Sequence, residues 1–558
     1  MDELSSAPVP LAGSERASMA LRMFEFFLSI WHDSNERVVQ RRVFFLGCLL
    51  TICGMAAFTG AVPTREYGHD IFTMLDNGWR IISGQRPHVD YTSAWGPVTF
   101  LITALGLKLS HYTVDGIGYG SAVFGLLIGL WSYGVSRGRM ESSPRILLSL
   151  LLAALVVAPF PLGSSPLISS HAMVYNRYGY ALLGLIMLEA FQPFEGARGK
   201  PGSWLGGISS GAAAALCLFL KASFFLISLL LLGASLLLWS RTRQRLLGLA
   251  FGFVSVTLVF LAYLGFDIQA VIGDLRMAAG AKSQSLSAYG LIALAVFNSL
   301  HLLGVLLLAL AGSLAVGAVS PRWLDFRLLF LGALTFTVDL LARFTSCQGD
   351  ATPMAAVFAL MVMNTITARQ IKLPDAAACV TRPYYAAMLS LGGLLLLPQL
   401  TSDLGGIAYG VWKKARPYNL AQVTRFTEPR LAPLLLYDGA TPGSNGTIYT
   451  TYVNDGAALL RRVSGPGETV ITMDMTNPFS YALGRKPALG GIAAAAYGNT
   501  LSDTHRPSDD AYFGNADIAM VPKHPALDDG LYVSYEAALN KRFRLAAETG
   551  WWRLYRRK

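Results

Sequence analysis

Between residues 204 and 240 the chain runs apolar for 37 residues, broken by a single charge, Lys221. One helix crossing a bilayer uses about 20 residues. The run is too long for one crossing and fits two, meeting in a tight turn at Lys221. The composition points to the same solvent: 53% of the 558 residues are hydrophobic and 14% are charged, against about 25% charged in an ordinary soluble domain. Backbone groups in lipid must be satisfied internally, and a helix does this within one segment. The expected body is therefore a polytopic bundle of α-helices in the membrane.

Charge sets the direction of threading. A net charge of +11 would suit nucleic acid if the basic residues formed one surface. They fall instead in short clusters between apolar runs, as cytoplasmic loops do, so no nucleic-acid partner is expected. Residues 1–42 read as a cytoplasmic segment with one amphipathic stretch, 17–31, suited to a membrane surface. Arg37, Arg41 and Arg42 then precede a first span at about 43–62. Its long polar lead makes a poor signal peptide, so this helix is expected to be retained. The segment 98–110 is apolar but short, and reads as a membrane-lying piece of an external loop, 63–116. Further spans follow at about 117–135, 146–162, 178–192, the two halves of 204–240, 246–265, 289–312, 328–342, 353–368 and 384–401. With that parity Arg137, Arg139 and Arg145, then Arg198 and Lys200, then Arg241, Arg243 and Arg245 all fall inside. Arg322, Arg327, Arg369, Lys372 and Arg382 do the same. About eleven transmembrane helices over 43–401 are expected.

Beyond residue 402 the composition becomes that of a soluble protein. ETVITMD (468–474) and DIAMVPK (517–523) read as strands, and FRLAAETGWWRLYRR (543–557) as a hairpin turning at Glu-Thr-Gly. A helix is expected near Val533 to Lys541, and NPFSYALG (477–484) reads as a loop entering a helix. The segment 402–558 is thus expected to be a small α/β domain, on the outside by parity. The five cysteines, Cys48, Cys53, Cys217, Cys347 and Cys379, form no CxxC and no cluster with histidine. Most pack as small hydrophobes in apolar runs, and neither a disulfide framework nor a zinc site is expected.

The threading gathers polar groups on the outer side. The first loop brings His69, Asp70, Asp76 and Asp90; the next brings His171, Tyr175 and Arg177. Lys221, Arg276, Lys282, Arg343, Gln348 and Asp350 follow from later loops. Acid from one loop facing base from several suits an anionic, membrane-embedded ligand such as a lipid phosphate, with a carboxylate free to act as general base. Taken singly, loop Asp and Arg side chains are ordinarily solvated. Lys221 stands apart, because a charge within so long an apolar run is costly unless it snorkels or has a role. Asp339, four residues before Arg343, suits a helical ion pair.

The first loop carries YGHDIFTMLDNGWRIISGQRPHVDYTSAWGP, residues 67–97. An acidic residue soon after the first span, then a helix, then Gly-x-x-Pro-x-x-Asp-Tyr and Gly-Pro, resembles the GT-C superfamily of integral membrane glycosyltransferases. The segment LFLKASFFL, 218–226, also resembles a lysine-containing turn of related bacterial proteins. The resemblance implies transfer of a sugar from a polyprenyl-phosphate carrier to a glycan, lipid or protein acceptor outside the cytoplasm. It implies a bacterial inner membrane, with the active site and C-terminal domain facing the periplasm. Asp70 matches the catalytic base, and Asp90 a downstream acidic position more loosely. His69, Asp76, His171, Tyr175, Arg177, Lys221, Arg343 and Gln348 are then candidate substrate-binding residues, with cations holding the donor phosphate. The loop has no Asp-x-Asp and no adjacent acidic pair, which departs from the superfamily pattern. No metal ligands are named, and a divalent metal cofactor stays open. A flippase or transporter of a lipid-linked sugar is the alternative from another class, and would place polar groups near the midplane in two related halves. No such halves are visible. A polysaccharide polymerase or ligase would use the same donors.

Overall fold

The computed structural model describes residues 38–191, 202–238, 242–285, 302–317, 326–346, 352–370, 375–417, 420–421, 423–439, 445–525 and 530–558. The amphipathic stretch 17–31, the first part of the expected span 289–312, and Gln348 and Asp350 lie outside them.

The body is helical. Its elements are α1 (Val38–Thr59), α2 (Gly68–Ile82), α3 (Pro97–Leu109), α4 (Gly116–Val135), α5 (Ser142–Val157), α6 (Val174–Phe191), α7 (Gly202–Leu218) and α8 (Ala222–Leu238). They continue as α9 (Arg243–Tyr263), α10 (Ile268–Ser285), α11 (Leu303–Gly317), α12 (Phe326–Ser346), α13 (Pro353–Gln370) and α14 (Asp375–Ala415). Five described helices are long and apolar enough to cross a membrane: α1, α4, α9, and the segments Phe326–Thr345 of α12 and Ala387–Ala415 of α14. Shorter apolar helices, including α3, α5 and parts of α7, α8, α11 and α13, pack among them.

Two elements explain why the bundle holds together around charge. Every residue of α6 is buried, so this helix has no face to lipid, and its two charges must be paired inside. Arg177 donates to Asp403 of α14 at 2.8 Å and to the carbonyls of Phe160 and Leu155 at 2.8 and 3.0 Å. Glu189 accepts from Arg245 of α9 at 2.8 Å and from Ser210 of α7 at 2.8 Å, and Arg139 lies 3.3 Å away. The 41 residues of α14 extend roughly 60 Å at 1.5 Å per residue. The helix therefore runs past the expected boundary at 401, to Ala415. Asp403 is why the polar turn in composition misled: the charge is buried against Arg177 and does not end the helix.

The loop between α1 and α4 is built from two helices. α3 has 13 residues with Pro97 in its first turn, too short to cross a bilayer. It packs on α4 through glycines so closely that a Cβ on Gly106 would lie 1.9 Å from the carbonyl oxygen of Gly116.

The C-terminal part contains α15 (Gly446–Val463), β1 (Val470–Thr472), α16 (Pro478–Ala482), α17 (Asp509–Phe513), β2 (Ile518–Pro522), α18 (Gly530–Arg542), β3 (Phe543–Glu548) and β4 (Trp552–Arg557). The sheet order is β1-β2-β4-β3, with β1 and β2 parallel and the other pairs antiparallel. The expected strands and hairpin are those observed, and the Asn477 side chain caps α16 by accepting from the Phe479 N–H at 3.1 Å. Trp552 is fully buried between Tyr452 and Phe479, with ring centres 4.2 and 5.0 Å away.

Candidate functional site

The loop between α1 and α4 fastens the two parts of the molecule. Arg80 of α2, buried, donates to Asp76 at 2.9 Å, to Gln85 at 3.0 Å, and to the carbonyls of Ala488 and Gly490 at 3.0 and 3.1 Å. Gln85 donates to Pro487 O at 2.8 Å, Trp79 to Arg485 O at 2.7 Å, and Asn77 to Ala493 O at 2.9 Å. The backbones of Asp90 and Thr92 bond to Gly490, Gly491 and Ala493. Asp76 is therefore held in the joint between α2 and the C-terminal sheet region. Its burial pushes its carboxyl up, opposed by Arg80. Asp90 accepts from the backbone and side chain of Arg86 at 2.7 and 3.4 Å and closes the Gly-x-x-Pro-x-x-Asp turn. The same loop is braced from α10 by Asp274, which accepts from Ser93 N–H at 2.8 Å and lies 2.9 Å from His88. Asp274 was not among the residues singled out from the sequence, since nothing local marks it.

Asp70 differs from these. It sits in the first turn of α2, after Tyr67 in a left-handed conformation with φ 56°. His69 Nε2 lies 3.6 Å from its carboxylate, and the side chain is 17% exposed. Among the described residues no donor hydrogen-bonds to it, while Asp76, Asp90 and Asp115 each face a cation, Lys414 lying 2.9 Å from Asp115. Partial burial raises the Asp70 carboxyl above the usual carboxylate value, and neighbouring His69 pulls it down less. A small cleft beside it is lined by His69, Arg65, Glu66, Tyr437, Asn445 and Tyr449. Tyr449 comes from α15, so the C-terminal domain forms one wall.

The second group surrounds Lys221, in the turn between α7 and α8. Its ammonium donates to Asn176 Oδ1 and to the Thr345 carbonyl, each at 3.3 Å, and stands 5.4 Å from the Tyr175 ring centre. Trp95 lies against Tyr175 at 5.2 Å. The Gly96–Pro97 step brings the α3 N-terminus here: Gly96 and Val98 donate to the carbonyls of Leu220 and Phe219 at 3.1 and 3.0 Å. A Cβ on Gly96 would lie 2.0 Å from Phe219 O. Glycine is thus required for contact between the first loop and the lysine turn. The segment after α5 links the groups, since Arg65 N–H donates to Ser169 O at 3.2 Å and the same strand of chain leads on to Tyr175.

The other candidates are placed differently. His171 is buried with Nε2 2.9 Å from Gly60 O, and burial lowers it to about 4, so it is neutral near pH 7. Arg177 is turned inward to Asp403. Arg343 is buried in the last turn of α12, two residues before the carbonyl that receives Lys221. Asp339 accepts from the Ala355 N–H at 2.9 Å, at the start of α13, an interaction across helices that the i,i+4 reading did not include. Among the described residues, no three His, Cys, Asp or Glu side chains group as metal ligands.

Neither a family model nor a curated protein matches the sequence. Among solved structures the chain is similar to ArnT from Cupriavidus metallidurans bound to undecaprenyl phosphate, at 11% identity over 93% of this chain and 98% of that one, with a TM-score of 0.41. It is also similar to the Archaeoglobus fulgidus oligosaccharyltransferase in complex with zinc and sulfate, at 10% identity over 85% of this chain and 68% of that one, with a TM-score of 0.33. The archaeal oligosaccharyltransferase AglB with an inhibitory peptide and a dolichol-phosphate gives 10% identity over 86% and 69%, with a TM-score of 0.30.

Proposed function

We propose that the chain is a membrane glycosyltransferase of the GT-C type, with about eleven spans, moving a sugar from a polyprenyl-phosphate carrier to an acceptor on the non-cytoplasmic side. The observation that carries this is Asp70. It is the loop aspartate whose carboxylate is water-accessible and accepts no hydrogen bond from a described residue, and it stands at the position the superfamily resemblance marks for a base. In this reading Asp70 takes the proton of an acceptor hydroxyl. The hydroxyl oxygen bonds to the anomeric carbon while the bond from that carbon to the phosphate oxygen breaks, and the phosphate leaves on its carrier. Lys221, beside the rings of Tyr175 and Phe224, meets the negative charge that grows on the phosphate. Asp70's raised pKa makes it a stronger base than a free aspartate. His69 and Tyr449 line the cleft beside it and would contact the acceptor.

The test uses purified full-length protein and a panel of undecaprenyl- and dolichyl-phosphate sugars, the lipid class held in two of the similar structures. Asp70→Asn keeps shape and removes the proton acceptor. Turnover is expected to fall by about 100- to 10,000-fold, with donor binding retained. Transfer at the normal rate by Asp70→Asn sinks the assignment, and transfer of no sugar from any carrier by the unaltered protein sinks the function.

A further inference from the structure

At the end of the bundle remote from Lys221, where α4 finishes and α7 begins, lies a cavity of about 780 Å³. Its walls are Leu130, Trp131 and Val135 of α4 and Leu205, Ile208 and Ala212 of α7. Leu130 and Leu205 are 43% and 61% exposed, so the cavity is open and apolar. Trp131 bridges it, its indole N–H donating to Ser209 Oγ at 2.7 Å. The volume falls in the roughly 300–1,000 Å³ range of sites that hold one small molecule.

Two arginines, Arg137 and Arg139, stand at the polar end of this cavity. Arg139 lines it and donates to the Glu189 carbonyl oxygen at 3.1 Å. The Glu189 carboxylate is shared between Arg139 and Arg245. Gly206 permits this arrangement, because a Cβ there would lie 2.4 Å from Arg139 Nη2. Arg137, also lining the cavity, is exposed and makes no ion pair with a described residue. Apolar walls ending at the exposed guanidinium of Arg137 complement a lipid whose headgroup is an anion.

We propose that this cavity is a binding site for one anionic glycerophospholipid, its phosphate on Arg137 and an acyl chain between α4 and α7. By the charge pattern of the loops the lipid belongs to the cytoplasmic leaflet. The site is separate from the donor site, and the proposal stands whether or not the chain transfers sugar. A zwitterionic lipid with the same chains fills the apolar walls equally well but gains nothing net from the cations.

Native mass spectrometry of the full-length protein in detergent, with equal amounts of phosphatidylglycerol and phosphatidylcholine of matched chains, reads the preference of the last lipid retained. One basic contact gives about a five-fold preference for the anionic lipid. Arg137→Gln, at an exposed position, is expected to erase that preference with the thermal midpoint unchanged. Ala212→Phe, which fills the cavity, is expected to lower retention of both lipids. Equal retention of the two lipids by the unaltered protein overturns the proposal. So does a preference that survives Arg137→Gln, or retention untouched by Ala212→Phe. An Arg137-dependent preference for undecaprenyl phosphate over phosphatidylglycerol overturns it as well.

Discussion

Two basic residues, Arg177 and Lys221, read alike in the sequence and differ in the fold. The guanidinium of Arg177 fits a fork of oxygens and finds one in Asp403 and two carbonyls. The compact ammonium of Lys221 rests on one amide and one carbonyl at 3.3 Å, beside an aromatic wall. Arg177→Ala strands a buried carboxylate and is expected to cost about 3–5 kcal/mol of stability, seen as a lower thermal midpoint in detergent. Lys221→Ala is expected to leave the midpoint near normal and to weaken donor binding by about 1.5–3 kcal/mol, the worth of a charge-assisted contact. Donor affinity unchanged in Lys221→Ala assigns that lysine to the helix turn alone. Asp70 adds a pH dependence. A carboxyl with a raised folded-state pKa loses its base form as pH falls through that value, so the acid limb of turnover is expected above the ordinary aspartate value of about 3.9. An acid limb that persists in the residual activity of Asp70→Asn belongs to another group.

At the level of elements, α3 is the piece that brings the first loop to the lysine turn. Its N-terminus is held by backbone bonds from Gly96 and Val98 to the Phe219–Leu220 carbonyls. Close approach leaves no room for a side chain at Gly96. Gly96→Ala is therefore expected to displace the α3 start and lower donor affinity, as Lys221→Ala does, while Gly134→Ala, with open space around it, leaves donor affinity intact. Equal donor affinity in Gly96→Ala and the unaltered protein, measured by titration, rules out this coupling. The loop motif itself serves two ends. The Gly-Pro step meets the Phe219–Leu220 backbone just before Lys221, and the Gly-x-x-Pro-x-x-Asp turn docks on residues 490–493. Both are backbone contacts over long sequence separations, which side-chain pattern does not encode.

For the whole molecule, the seam from Asn77 to Thr92 against Arg485 to Ala493 joins the C-terminal domain to the loop between α1 and α4. The two must therefore share one side of the membrane. The expected side is outside, because the basic loops fall inside with that parity. A reporter active only outside the cytoplasm, fused at the exposed turn near Gly467, is expected to be active. Activity there from a cytoplasm-only reporter instead reverses the threading, and with it the side on which Asp70 faces an acceptor.

The helical body, the bounds of most of its described helices, the Lys221 turn and the C-terminal strands were legible in the chain itself. Apolar length and basic loops are local properties, and the solvent acts on them segment by segment. The end of α14 was not legible, because a buried charge such as Asp403 looks like a surface residue until its partner is known. The sorting of the polar candidates also belonged to the tertiary structure. His171 and Arg177 are committed to partners far along the chain and Asp76 to Arg80 of its own helix, while Asp70 keeps a water-facing carboxylate and Lys221 lies against Asn176 and Thr345. A side chain's chemistry depends on which oxygens and cations surround it once packed, and those neighbours come from segments the local sequence does not name.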